Sequence, residues 1–500
     1  MPTGLFAGSI SVALTGAAPN AEIRYTLDRS LPSSTSPLYM GVPLTISRTT
    51  LLRAQVFLGG VPTGEASTAI YVARELQPVH DQLPVMVVDS YGTAMREDRE
   101  YVATAVLTFE PATGGIDFAM PPSVASGAGL HLRGQSSLDF DKKPYRLEYR
   151  DADGSDRDCP MLQMPPEADW VLHAPFIDKA LIRNAFVYSL GQDLRLPSPR
   201  AQLIELYVNT DNQPLAASDY QGVYLLVETI KNQKQRLDLR QLGPADVTEP
   251  DISGGYIFKL DFHVDEMDQE VRCPGGQSFC WNYLEVTDPQ PWSSPQRDYI
   301  TRHVSAFSDA LHSAAPADPH SGYPAFIDIP SFVDQVIVQE LVRNLDAYTK
   351  SQFFHKERNG KIFAGPLWDY DASAGVGHDR TDANLSVEGW QHAASARRYA
   401  DSADWFPRLI ADASFQNELR LRWQDLRRGV LGDAQVIARI GSITAGLGAA
   451  AERNFRRWNN LNDDRVGWFV TPSDPTWQGQ VDSMQRWLLA RMQWLDTQWR

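Results

Sequence analysis

Across residues 331–375, SFVDQVIVQELVRNLDAYTKSQFFHKERNGKIFAGPLWDYDASAG, the spacing of apolar positions changes from helical to strand-like. Val333, Val336, Ile337, Leu341 and Leu345 recur at three- and four-residue steps, which predicts a helix with one buried stripe. Beyond Asp346, SQFFHK and KIFAGPLW read as strands flanking Asn359-Gly360, a pair suited to the positive φ angles of a two-residue hairpin turn. Such a hairpin folds the chain back, so Asp369 is expected close to Asp346 although 369 − 346 = 23 residues separate them.

The start of the chain has a different pattern. SISVALTG, EIRYTLD, PLTIS, TLLRAQVF and TAIYVA are short strand-like runs parted by Pro, Gly, Ser and Asn, which predicts a small β-sandwich over residues 1–75. The polar exit RELQPVHDQ reads as a linker, so removing residues 1–75 is expected to leave a soluble remainder. LPVMVVDS and YVATAVLTFE follow as strands. LHLRG and PYRLEYR alternate polar and apolar residues and read as two strands joined by a loop carrying Gly134, Ser136, Ser137, Lys142 and Lys143.

DWVLHAPFIDKALIRNAFVYSLGQDL predicts a strand and then a helix capped by Asp178, with Ile182, Phe186 and Leu190 on one face. QLIELYVN and GVYLLVETI form a further strand pair, and the polar run after Glu228 reads as a hinge. GGYIFKLDF puts Lys259 and Asp261 on one face of a strand. From Pro295 the pattern is largely helical, ending in a helix whose core positions are Met484, Trp487, Leu488, Met492 and Leu495. The fold class read from these runs is α+β.

Composition narrows the function. A net charge of −16 argues against a nucleic-acid partner, whose phosphates call for a basic surface. No run of eighteen apolar residues occurs, so no membrane span is expected, and MPTGLFAGSISVALTG does not read as a secretory signal. Of three cysteines, Cys273 and Cys280 bracket the loop CPGGQSFC, whose spacing leaves a disulfide and two free thiols both open.

Asp346 at a helix end and Asp369 at a strand end suit metal-assisted phosphoryl transfer, one carboxylate orienting the acceptor hydroxyl and the other holding a magnesium ion on the phosphates. The plainer reading is a helix terminus and a surface turn carrying Asp369 and Asp371. In the 134–143 loop, glycine and hydroxyls beside Lys142 and Lys143 suit phosphate oxygens, against the plainer reading of a solvated basic hairpin.

LRGQSS with KKPYRLEY, DWVLHAPFIDKALIRNAFVY, YVN followed by GVYLLVE, GGYIFKLD, ELVRNLDAY and FAGPLWDYD, in that order, resemble the CotH kinase family of atypical, secreted or coat-associated protein kinases. EIRYTLDRSLPSSTSPLY with TTLLRAQVF resembles the immunoglobulin-like module at the C-terminus of chitobiase-type enzymes, with Arg29 where that family usually has glycine.

The first resemblance implies an atypical kinase-like two-lobed fold, with a mixed-β N-lobe at 80–240 and a mostly helical C-lobe at 241–500. It implies ATP with Mg2+ or Mn2+, and transfer of the γ-phosphoryl group to Ser/Thr hydroxyls of secreted, coat or cell-surface proteins. Asp346 matches the family's catalytic aspartate and Asp369 its metal-binding aspartate, with Asp371 beside it. Phosphate or nucleotide contacts are assigned to Lys143, then Lys142, with Arg133, Lys259 and Glu228. The family's usual export favours a Cys273–Cys280 bridge. The ordinary G-x-G-x-x-G, H-R-D and D-F-G signatures are missing, as is a glutamate in the helix after Asp178. A catalytically silent coat or adhesion protein and an adenylyl transferase on the same fold are the rival readings.

Overall fold

The computed structural model describes residues 2–16, 19–75, 82–194, 196–261, 264, 269–274, 281, 283–398 and 403–500. They form a mixed α+β protein of two compact units. The first is Met1–Pro175 with Ala201–Thr229 and Gly446–Asn459; the second is Phe176–Arg200, Ile230–Ala445 and Asn460–Arg500. No single cut near residue 240 divides them, because residues 176–200 group with the second unit and 446–459 with the first.

The first unit opens with strands β1 (Gly4–Phe6), β2 (Ile10–Val12), β3 (Ala21–Thr26), β4 (Leu44–Ile46), β5 (Thr50–Leu58) and β6 (Val61–Ala73). A four-stranded sheet of order β1-β6-β5-β3 and the pair β2-β4 enclose Phe6, Val12, Ile46, Leu52, Tyr71 and Ala73, which is the expected sandwich. Arg29 has φ +73°, so the position where the related modules carry glycine does demand a left-handed backbone.

Strands β7 (Val85–Asp89), β8 (Val102–Phe109), β9 (Val124–Leu132), β10 (Tyr145–Arg150), the hairpin β11 (Cys159–Met161) and β12 (Met164–Glu167), then β13 (Asp169–His173), β14 (Ala201–Asn209) and β15 (Tyr220–Glu228) complete it. Without the hairpin they close a barrel of order β10-β13-β15-β14-β7-β8-β9, antiparallel except where β7 meets β14. Every second residue points inward: Leu130 and Leu132, Leu147 and Tyr149, Trp170 and Leu172, Tyr224 and Leu226 fill the lumen. The helix Gly448–Arg457 packs on β15 and is tied to the barrel by an ion pair to β14 and by hydrogen bonds. Arg453 grips Glu205 with two bonds of 2.9 Å, and Lys142 donates to Val223 O at 2.6 Å and Asn454 Oδ1 at 2.8 Å.

The expected separation of sandwich from remainder is not what the structure has. Leu5, Leu51, Ile70 and Val72 share one core with Val85, Val87, Leu107 and Phe109 of the barrel. Backbone bonds continue the junction, Leu215 N to Ala73 O at 2.8 Å and Glu75 N to Leu215 O at 2.9 Å. Residues 76–81 of the expected linker lie outside the described residues. At about 1.5–3 kcal/mol per buried apolar side chain, stripping four such partners rivals the roughly 5–15 kcal/mol that stabilises a domain. Deletion of residues 1–75 should therefore yield aggregated protein, read by size-exclusion chromatography; a monodisperse truncation would show that the barrel wall tolerates exposure.

Asp89 sits in that junction, 1% exposed, accepting from Thr49 Oγ1 and the Tyr91 amide, each at 2.9 Å. Burial pushes its carboxyl up to about 6, so between pH 4 and 6 the folded chain holds a proton that the unfolded chain has released. Folded stability falls as pH rises through that window, by about 3 kcal/mol from this group. Asp89→Asn should flatten this part of the profile in urea titrations at pH 4 to 7; an unchanged slope would place the buried charge elsewhere.

The second unit contains α1 (Arg183–Leu194), α2 (Ser294–Leu311) and α3 (Ile329–Val342) around a sheet of order β17-β16-β18-β19, with β16 (Tyr256–Leu260), β17 (Leu284–Asp288), β18 (Gln352–Lys356) and β19 (Ile362–Ala364). α3 starts where the Asp328 carboxylate caps the Ser331 amide at 2.9 Å and ends at Arg343, φ +48°, so Leu345 lies beyond it. The hairpin forms with Phe354 opposite Ala364. Its connection is longer than the two residues expected: a turn closed by Gly360 N to Glu357 O, with positive φ at Asn359 alone, lies within residues 357–361. In the last helix, Trp477–Gln498, Met484, Leu488, Met492 and Leu495 are buried as expected, whereas Trp487 is half-exposed and bonds Leu385 O. Cys273 is disulfide-bonded and Cys159 is a free, buried thiol; Cys280 lies outside the described residues.

Candidate active site

Asp346 follows α3 in a tight turn, in which its carbonyl accepts the amides of Thr349 (3.2 Å) and Lys350 (3.1 Å). Two backbone bonds lay the segment after β19 alongside, Leu345 N to Ala372 O at 2.9 Å and Ala374 N to Val342 O at 2.7 Å. Asn344 Nδ2 adds a bond to Asp369 O at 3.1 Å. The two carboxylates picked out by the hairpin reading are thus brought into one cluster by the strand-like pairing of 342–345 with 369–374. Tyr370, between Asp369 and Asp371 in the chain, is held by α3: Gln335 donates to its hydroxyl at 3.3 Å and, with Gln339, to Gln352 of β18.

α1 supplies the other wall. Arg183 and Asp178 form an ion pair with both side chains 2% exposed, and Arg183 also donates to Ser373 O (2.8 Å) and Ala374 O (3.0 Å). Asp178 caps α1 from further back than a usual N-cap, accepting the amides of Ala180 (3.1 Å) and Arg183 (2.7 Å). Asn184 Oδ1 accepts the Tyr370 amide at 2.7 Å and the Tyr188 hydroxyl accepts the Asp369 amide at 3.3 Å. Asp369 itself has φ +68°, and Ser351, whose hydroxyl donates to Asp369 Oδ2 at 3.2 Å, has φ +52°. Such non-glycine left-handed residues persist only where surrounding bonds impose them.

The charges are crowded. Burial raises the Asp346 carboxyl, Lys350 offsets part of this, and Asp369 and Asp261 push it up further. Lys350 Nζ lies 3.3 Å from Asp346 Oδ2; burial alone would lower its ammonium, but Asp346, Asp369 and Asp261 outweigh that and raise it. Asp371 is driven well above the carboxylate range by burial and then by Asp369, Asp178 and Asp346. Lys259 is buried between Asp261 (3.0 Å) and Glu285 (3.4 Å), on the same strand face as Asp261 as expected. Among the described residues no group of three or more His, Cys, Asp or Glu is arranged to hold a metal ion.

The remaining candidates belong to the first unit. Lys143 donates to Leu138 O at 2.5 Å within its own loop, where Gly134, φ +108°, has no room for a Cβ beside Ser137 Oγ. Arg133 lies in the same loop, its amide on Pro144 O. Lys142 is buried by the barrel bonds given above, and Glu228 ends β15 opposite Trp170, 3% exposed. Lys350, Ser351, Arg183, Asn184 and Tyr188 were not singled out from the chain. The polar pair Arg183-Asn184 inside the apolar run LIRNAFVY was the available signal, since buried polar residues there need partners.

The family model described as CotH kinase protein matches residues 130–495, well over half of the chain, which therefore belongs to the CotH kinase family. The chitobiase/beta-hexosaminidase C-terminal domain matches residues 1–68 and precedes it. No curated protein matches the chain.

Removing one partner of a buried ion pair typically costs about 3–5 kcal/mol. Asp178→Asn should destabilise the protein by that order in urea titrations, leaving Arg183 without its counter-charge; a change under about 1 kcal/mol would show the pair to be dispensable.

Proposed function

We propose that this protein is an atypical Ser/Thr protein kinase that transfers the γ-phosphoryl group of ATP to hydroxyls of secreted, coat or cell-surface proteins. The observation that carries this reading is the fixed juxtaposition of Asp346 and Asp369 beside Lys350. In this reading Asp346 orients the acceptor hydroxyl and takes its proton, and Asp369 with Asp371 would hold a divalent metal ion. A bound ion of that kind supplies charge neutralisation at the phosphates.

The donor set fits Mg2+ or Mn2+. Asp346, Asp369 and Asp371 repel one another, and Lys350 offsets this only in part, so the cluster favours a further cation. Mg2+ takes one or two carboxylates and completes its shell with water and substrate phosphates, so a preassembled three-ligand cage is not required. Lys143 and Arg133, with the Gly134 turn, are proposed phosphate contacts, followed by Lys142, Lys259 and Glu228; Lys142, Lys143 and Lys259 each also meet protein oxygens. The disulfide at Cys273 supports an oxidising, extracytoplasmic location.

ATP labelled on the γ or the α phosphate, incubated with the protein and acceptor proteins, tests the reading. Transfer of γ label alone is expected; α label would mean adenylyl transfer, and neither would indicate a scaffold. On the same samples, Asp369→Ala should lose both metal-dependent nucleotide stabilisation in thermal shift and turnover. Asp346→Asn should keep that stabilisation while losing about 10²- to 10⁴-fold in rate. Full activity in both variants would put the active site elsewhere.

A further inference from the structure

Lys350, only partly buried, differs from the buried lysines by how few protein oxygens its ammonium meets. Lys356 donates to Ser253 O, Glu357 O and Gly360 O, Lys179 to Leu461 O and Asp463 O, and Lys142 to Val223 O and Asn454 Oδ1. Each of these ammonium groups meets at least two protein oxygens. Lys350 Nζ meets one among the described residues, Asp346 Oδ2 at 3.3 Å, and its side chain is still 23% exposed. An ammonium has three N–H donors, so Lys350 holds donors to spare beside the acid cluster.

Its position is fixed by backbone, not by chance of a long side chain. The Lys350 amide bonds Asp346 O at 3.1 Å, closing the turn that sets Nζ against the Asp346 carboxylate. The next residue, Ser351, donates its hydroxyl to Asp369 Oδ2. Lys350 and Ser351 therefore straddle the two carboxylates between which, on the kinase reading above, the phosphoryl group passes.

We propose that Lys350 is a catalytic residue, its ammonium binding an oxygen of the γ-phosphoryl group as it is transferred. The acceptor oxygen forms a bond to the γ-phosphorus while the bond from that phosphorus to the β-bridging oxygen breaks. The bonding pair leaves with ADP, and the acceptor proton goes to Asp346. Lys350 keeps its protons throughout and supplies charge where it is spread over the equatorial oxygens. This inference rests on the kinase reading, and a contact to the γ group is separable from that reading because ADP lacks the group.

The test is calorimetric binding of Mg-ATP and Mg-ADP to the full chain and to Lys350→Met, Lys350→Gln and Lys350→Arg, beside steady-state turnover. Both neutral variants should lose about tenfold or more of their affinity for ATP, keep ADP affinity within about twofold, and fall in kcat. Lys350→Arg should retain the preference for ATP. Thermal melts without ligand verify folding, and if Lys350→Met does not fold, Lys350→Gln carries the comparison. Equal loss for ATP and ADP, or no loss for either with turnover intact, overturns the proposal. A wild-type protein that binds Mg-ATP but transfers no γ label defeats the kinase reading instead, and the ATP-against-ADP difference still reports whether Lys350 meets the third phosphate.

Discussion

The helical unit hangs on the buried guanidinium of Arg183. Desolvating an Asp–Arg pair costs several kcal/mol per ion, and the pair repays that only when its other donors find partners. Here they do: the remaining guanidinium nitrogens reach the carbonyls of Ser373 and Ala374. One side chain thus ties the turn before α1 to the segment that follows Asp369 and Asp371. Asn184 and Tyr188, one residue and just over one helical turn further along α1, take the amides of Tyr370 and Asp369. The acid-bearing segment is thus held by its backbone.

That arrangement explains why the carboxylates can be crowded. Asp346, Asp369 and Asp371 would separate if their backbones were loose, since each raises the free energy of ionising its neighbours. The clamp from α1, the pairing of 342–345 with 369–374 and the glutamine bonds to Tyr370 oppose this. The cost is visible as positive φ at Asp369, Ser351 and Tyr348, which stable packing elsewhere must offset. Lys350 offsets part of this repulsion.

In the first unit the governing constraint is apolar. A seven-stranded barrel filled by its inward residues still presents an outer wall at β7 and β8, and the N-terminal sandwich covers it with Leu5, Leu51, Ile70 and Val72. The sandwich is in this protein part of the barrel's support, which gives its presence ahead of the kinase-family region a structural reason.

Period-two and period-3.6 spacing determined the elements: the sandwich strands, the barrel strands, α3, the hairpin and the last helix are all legible along the chain, as were the return of Asp369 towards Asp346 and the family. Such patterns report which face of an element is buried, and nothing about what buries it. Only the tertiary structure decided that residues 1–75 share a core with the barrel, that residues 176–200 and 446–459 exchange units, and that Lys142 and Lys259 are already bonded. The same holds for Lys350, Arg183 and Asn184. Their roles depend on partners distant in sequence, Arg183 on Ser373 and Asn184 on Tyr370, and for Lys350 on a turn geometry that puts a side chain back over the residue four places before it.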